Sequence, residues 1–162
     1  MTDFGRLLST LSDHEVQYII IGGFAATAHG SAFLTVDLDI VYDRAPANID
    51  RLVTALAPLS PYLRGAPPGL PFRLDADTMS KGLNFTLSTS AGDLDLLGEA
   101  TGGGTYDALL PHSELREVLG QSCGFVDLDT LIRLKRAAGR PKDLERVAEL
   151  EALRGERGAG HA

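Results

Sequence analysis

The 162-residue chain has one cysteine, Cys123, which excludes an internal disulfide and any cysteine-rich zinc site. No apolar run approaches the ~20 residues that span a bilayer, so no membrane partner is expected. The opening MTDFGRLLSTLSDHE lacks the basic and then apolar regions of a signal peptide, and a cytoplasmic location is expected. Cations are in deficit. Fifteen Lys and Arg against 22 Asp and Glu leave a net charge of -7, which argues against unselective binding to a DNA duplex. Repeats and low-complexity tracts are lacking, and His14, His112 and His161 show no metal-ligand spacing. What remains is an ordinary globular composition, 44% hydrophobic and 23% charged, long enough for one domain over 1–162 with a buried core.

Hydrophobic spacing orders the chain. Phe4, Leu7, Leu8 and Leu11 share a helix face, and Tyr18–Ile21 reads as a buried strand ended by Gly22-Gly23. A short helix over 24–28 closes at His29-Gly30, and a second strand is expected over Asp37–Tyr42. Ile49, Leu52, Val53 and Leu56 mark an amphipathic helix over 49–59. Residues 58–71, PLSPYLRGAPPGLP, hold five of the eight prolines and read as a surface loop, a rim for a site. Strands over 84–88 and 94–97 join through Ser90-Ala91-Gly92, and Gly102-Gly103-Gly104 leads into a short helix over 106–110. One strand is expected within 115–126, then a helical C-terminal segment from about 129. This mixture predicts an α/β (α+β) fold, a mixed β-sheet flanked by helices.

The chemistry concentrates in TVDLDIVY. Residues i and i+2 of a strand share a face, so Asp37 and Asp39 project side by side among apolar neighbours. At ~4 Å two such charges repel by roughly 4 kcal/mol at an effective dielectric of 20. A cation should sit there, and hard oxygen donors favour Mg²⁺ or Mn²⁺ over zinc. Asp95, in GDLDLLG, is a third strand carboxylate; Asp93 lies nearer the turn, where a solvated or turn-capping role is expected. The bland alternative is an exposed strand face of alternating polarity.

Gly22-Gly23, between a strand and a helix, lets backbone N–H groups approach an anion. A basic stretch, Arg133, Lys135, Arg136, Arg140 and Lys142, contains no acid and suggests one anionic ligand. Lys135 follows Leu128, Leu131 and Ile132 at i+7, i+4 and i+3, inside their apolar stripe, where a cation needs an anionic partner unless it snorkels. Asp143 stands near a helix start at Pro141, where an acid also serves merely to complement the dipole. Weaker candidates are Gly102–Gly104 as a phosphate cradle, His29 as a nucleotide contact and Asn84 as a base or sugar contact.

The run Gly-Gly, thirteen residues, Asp-x-Asp and a later strand Asp resembles the DNA polymerase β-like nucleotidyltransferase superfamily. GGFAATAHGSAFLTVDLDI, NFTLSTSAGDLDLLGE and LIRLKRAAGRPKDL are similar to small bacterial nucleotidyltransferase-like proteins related to abortive-infection (AbiEii-type) toxins. The likeness covers roughly residues 18 to 150. It implies a minimal nucleotidyltransferase fold, Mg²⁺ (or Mn²⁺) on Asp37, Asp39 and Asp95, and a catalytic set completed by Lys135 and Asp143. It further implies an NTP on Gly22, Gly23, Thr35, Lys135 and Arg140. The implied reaction moves an NMP to a hydroxyl of an RNA end (such as tRNA) or of a protein, with a cognate toxin or antitoxin as partner. One departure stands out. Many relatives have Arg two residues before the Thr of T-x-D-x-D, where this chain has Phe33. Phe33 favours the alternative, a nucleotide-binding or antitoxin-like partner protein with little turnover; the retained acids and Lys135 oppose it.

Overall fold

Three consecutive isoleucines place β1 (Tyr18–Ile21) in the middle of the sheet, since β-branched side chains suit a strand packed on both faces. The computed structural model describes residues 1–160; His161 lies outside them. On one side β1 pairs antiparallel with β2 (Asp37–Tyr42), and on the other it pairs parallel with β9 (Gln121–Val126). The remaining strands are β3 (Tyr62–Leu63), β4 (Asn84–Thr89), β5 (Gly92–Leu97) and β8 (Ser113–Val118). All seven form one sheet in the order β3-β4-β5-β2-β1-β9-β8. β2 runs parallel to β5, whereas β4 pairs antiparallel with β3 and β5, and β8 with β9. A separate ladder joins β6 (Glu99–Ala100) to β7 (Gly104–Thr105).

Seven helices accompany the sheet among the described residues: α1 (Phe4–Asp13), α2 (Gly22–Ala28), α3 (Pro46–Leu56), α4 (Ala76–Lys81), α5 (Tyr106–Leu109), α6 (Leu128–Ala138) and α7 (Pro141–Gly160). Side-chain caps start several of them, with Asp3, Asp75, Thr105 and Asp127 each accepting an N–H of the first turn. α6 stops at Gly139, whose φ of 68° suits the left-handed C-terminal position. Leu7, Leu8 and Leu11 of α1, Ile20, Leu38 and Ile40 of the central strands, and Leu52 and Leu56 of α3 are wholly buried in one core. Each contributes about 1.5–3 kcal/mol. Asn48, also wholly buried, satisfies itself by bonding Gln17 and Asp43 backbone atoms, which ties α3 to the ends of β1 and β2.

Three expectations change. The helix expected over 49–59 starts at Pro46, where proline's missing N–H costs nothing, and ends at Leu56 before a 3₁₀ turn over Ala57–Leu59. The proline-rich 58–71 is not wholly loop, because Tyr62 and Leu63 pair with β4 at the sheet edge, the one place in a sheet where neighbouring prolines are tolerated. The single strand expected within 115–126 is a hairpin, β8–β9, closed by Leu119-Gly120 with φ of 51° and 80°. Both central residues of such a tight turn need positive φ, and a leucine there gives no turn signal. α4, six residues long, lay outside the expected elements altogether.

Candidate active site

β2 and β5 lie side by side with Asp37 opposite Asp93 and Asp39 opposite Asp95. Parallel pairing in this register puts four carboxylates on one face. One oxygen from each of Asp37, Asp39 and Asp95 lies within 4.8 Å of the others. Asp39 Oδ1 is buried with no hydrogen-bond partner. Burial, then the charges of Asp95 and Asp37, push the Asp39 carboxyl up to about 8, with Lys135 opposing. An orphaned buried oxygen within a set of hard oxygen donors fits a divalent cation such as Mg²⁺.

The turn from β1 into α2 is built around this cluster. Gly22 has a φ of +72°, and a Cβ there would overlap Asp39 Oδ2. At Gly23 a Cβ would come within 2.6 Å of Thr35 Oγ1, which itself donates to Asp37 O at 3.2 Å. Glycine at both positions therefore allows the turn and the Thr35 segment to close onto the start of β2.

Facing the acids is a cavity of about 320 Å³, lined by Gly22, Asp39, Asp95, Lys135, Arg140 and Asp143, with apolar walls from Leu97, Leu131 and Leu134. Lys135 is 8% exposed, and burial pushes its ammonium pKa down. Its partner is Asp143, whose Oδ1 lies 3.8 Å from Nζ. Asp143 is wholly buried; it accepts from Arg140 Nε at 2.6 Å and Nη2 at 3.2 Å. This fork makes Asp143 far more than a dipole complement. The five-residue basic stretch does not form one patch. Arg136 pairs with Glu151, Arg133 donates to Gly102 O at 3.2 Å, and only Lys135 and Arg140 reach the cavity.

A family model matching the chain was not found, nor was a curated protein. Solved structures do match. A Thermotoga maritima protein provisionally named a nucleotidyltransferase superposes with a TM-score of 0.53 at 15% identity, over 98% of this chain and 96% of that one. ANT(2″)-Ia in complex with adenylyl-2″-tobramycin gives 0.54 at 13% identity, over 98% and 97%. The fold is that of the nucleotidyltransferases.

Within this nucleotidyltransferase fold some expected residues meet and others do not. Gly23 and Thr35 sit beside the cavity lining, not in it, and Asn84 lines the cavity while its Oδ1 accepts from Gly98 N at 2.9 Å. Gly102 and Gly103 lie in the tight connection of β6 to β7 and Gly104 opens β7, with Gly103 against Leu134. Phe33 is 42% exposed, so it is no core residue, and the Arg146 guanidinium lies 5.4 Å from its ring centroid. A cation thus stands over the position that lacks the arginine.

Two arginines were invisible to sequence reasoning. Arg146 lies on an ordinary amphipathic helix. Arg64 follows β3 and reaches the acids, with Nη2 2.8 Å from Asp95 Oδ1 and Nε 3.5 Å from Asp93 Oδ1. Asp93 is therefore an ion-pair partner of Arg64, not a turn cap. The only available signal was that Arg64 is the one cation in the proline-rich stretch read as a rim.

His29 lies away from the cavity. It is 3% exposed, its Nε2–H donates to Val126 O at 2.8 Å, and Nδ1 faces Arg157 Nη1 at 3.1 Å and Arg116 Nη2 at 3.4 Å. Burial, then the two guanidiniums, hold its pKa below the ordinary 6.5, although the Val126 bond and Glu114 act the other way. The unfolded chain then binds a proton that the folded one refuses, so His29 contributes a loss of stability as pH falls below about 6.5. Asp39 acts the opposite way, since its raised carboxyl takes up a proton in the fold from about pH 8 downward. The difference in melting temperature between His29→Gln and wild type should therefore shift in the variant's favour as pH falls from about 7.5 to about 5.5. A constant difference over that range would show that His29 accepts its proton in the fold.

Proposed function

We propose that this chain is a divalent-metal-dependent nucleotidyltransferase that moves a nucleoside monophosphate from an NTP to an acceptor hydroxyl. The observation that carries this reading is the convergence of Asp37, Asp39 and Asp95 oxygens within 4.8 Å of one another, with Asp39 and Asp95 sharing one cavity with Lys135 and Arg140. Asp37, Asp39 and Asp95 hold Mg²⁺ or Mn²⁺. When bound, the metal supplies Lewis-acid activation of the acceptor hydroxyl and neutralises charge on the leaving group. The acceptor hydroxyl gives its proton to a carboxylate of the cluster, its oxygen forms a bond to the α-phosphorus, the α–β bridging bond breaks, and pyrophosphate leaves with the bond pair. Lys135 and Arg140 meet the negative charge that develops on that pyrophosphate. Gly22, which lines the cavity at the turn into α2, brings backbone close to the phosphates. Leu97, Leu131 and Leu134 give the base an apolar wall.

The acceptor class in this reading is an RNA end or a protein hydroxyl, within a toxin-antitoxin or phage-defence setting. A second reading is a nucleotide-binding partner protein without turnover, which Phe33 in place of the relatives' arginine favours. Incubation with each labelled NTP, Mg²⁺ and total RNA or protein separates them. Transfer from one NTP, blocked by chelator, is the expected result. A melting temperature that rises with Mg-NTP, with no acceptor labelled, would support the second reading; saturating ligand stabilises by about 2.7 kcal/mol at a hundredfold excess over Kd. An unchanged melting curve and no labelling would overturn both.

A further inference from the structure

We propose that Arg64 is the internal counter-ion of the acid cluster and that it exchanges with the divalent metal. This rests on the metal reading of the same site above. Arg64 follows the two-residue edge strand β3, and its side chain extends over β4 toward β5 and β2. Nη2 lies 2.8 Å from Asp95 Oδ1, Nη1 3.9 Å from Asp37 Oδ2, and Nε 3.5 Å from Asp93 Oδ1. Two of the three carboxylates that converge as metal ligands therefore share one guanidinium, which offsets one of their two charges.

The two cations are antagonists. Mg²⁺ and Mn²⁺ take carboxylate oxygens directly, at about 2.0–2.1 Å for Mg²⁺, and a guanidinium beside the same oxygens adds positive charge where the ion must settle. Arginine has donors only and cannot itself join a coordination shell. The fork is also imperfectly held. Arg64 Nε is buried without a hydrogen-bond partner, because the approach to Asp93 is close but misaligned. Only Nη2 is fully engaged, with Asp95 and with Leu87 O at 2.6 Å. About a quarter of the side chain (26%) already faces solvent, so withdrawal toward the rim needs no rearrangement of the core. A simple staple for the rim loop would need one carboxylate; contact with three is what a charge substitute requires.

Mn²⁺ binding to the full chain, followed by electron paramagnetic resonance without nucleotide at neutral pH and low salt, tests the exchange. Arg64→Met should bind Mn²⁺ about tenfold tighter or more, because the metal no longer competes with a resident cation. In chelator the variant should melt below wild type, and saturating Mn²⁺ should narrow that gap. Equal affinities with an equal melting gap in both conditions would overturn the exchange and leave Arg64 a staple of the rim. Should Arg64→Met not fold, Arg64→Lys keeps one charge but loses the fork, and should bind Mn²⁺ tighter than wild type by a smaller factor. Wild-type or weaker affinity in that variant would again overturn the exchange. Absence of Mn²⁺ binding in wild type and both variants would instead overturn the metal reading beneath it.

Discussion

Asp37→Asn should reduce nucleotidyl transfer by about 10³-fold or more and leave the protein folded. On the proposed function the magnitude follows from losing one carboxylate that would hold the metal, where the cation would supply several kcal/mol of transition-state stabilisation, at about 1.4 kcal/mol per factor of ten. The fold should tolerate the change because Asp37 is a member of a repelling group, not a core residue. Its Oδ2 lies 3.9 Å from Arg64 Nη1, which keeps its nearer contacts to Asp95 and Asp93. Removing one charge from the cluster relieves repulsion, so the metal-free variant should melt at the same temperature as wild type or higher. Loss of the Mn²⁺-dependent rise in melting temperature should accompany loss of transfer. Wild-type turnover in this variant would remove Asp37 from the metal set.

Lys135→Met should lower transfer by about 10²-fold or more and weaken NTP binding, in a protein that still folds. Methionine keeps the apolar stem on the helix face of Leu131 and Ile132 while deleting the charge. The folded state survives because Asp143, although wholly buried, retains both Arg140 bonds at 2.6 and 3.2 Å. Those bonds are shorter and better aligned than the 3.8 Å approach of Lys135. The variant also escapes the cost of burying an ammonium, the cost that depresses the Lys135 pKa. Arg133→Met is the matched control: its guanidinium donates to Gly102 O on an exposed helix face and does not line the cavity. Equal NTP affinities for the two variants would make Lys135 a packing residue with no part in phosphate recognition.

The residues legible in the sequence are those set by local periodicity. The bounds Asp37–Tyr42 follow from an alternating apolar run, and a period of two by itself places Asp37 and Asp39 on one face. The position of Lys135 in the apolar stripe of α6 follows just as directly from i+3, i+4 and i+7 spacing, and the side chain is buried as that spacing requires. The central strand Tyr18–Ile21 and the glycine pair after it are equally local, one from β-branched composition and the other from the backbone's need for a positive φ at Gly22.

Tertiary structure decided everything that depends on which segments meet. That Asp39 stands opposite Asp95 comes from the parallel register of β2 on β5, and a slip of one residue would turn the carboxylates to opposite faces. Nothing periodic marks Arg64, because it enters the cluster from beside the edge strand β3, two places from β5 in the sheet. Asp143 finds Lys135 only because α7 folds back on α6 after Gly139, and Arg146 covers Phe33 for the same reason. Local sequence could thus assign charges to faces, since a face is a property of a few neighbouring torsions. Their pairing is a property of long-range hydrogen-bond registers and helix packing, which no short window of sequence contains.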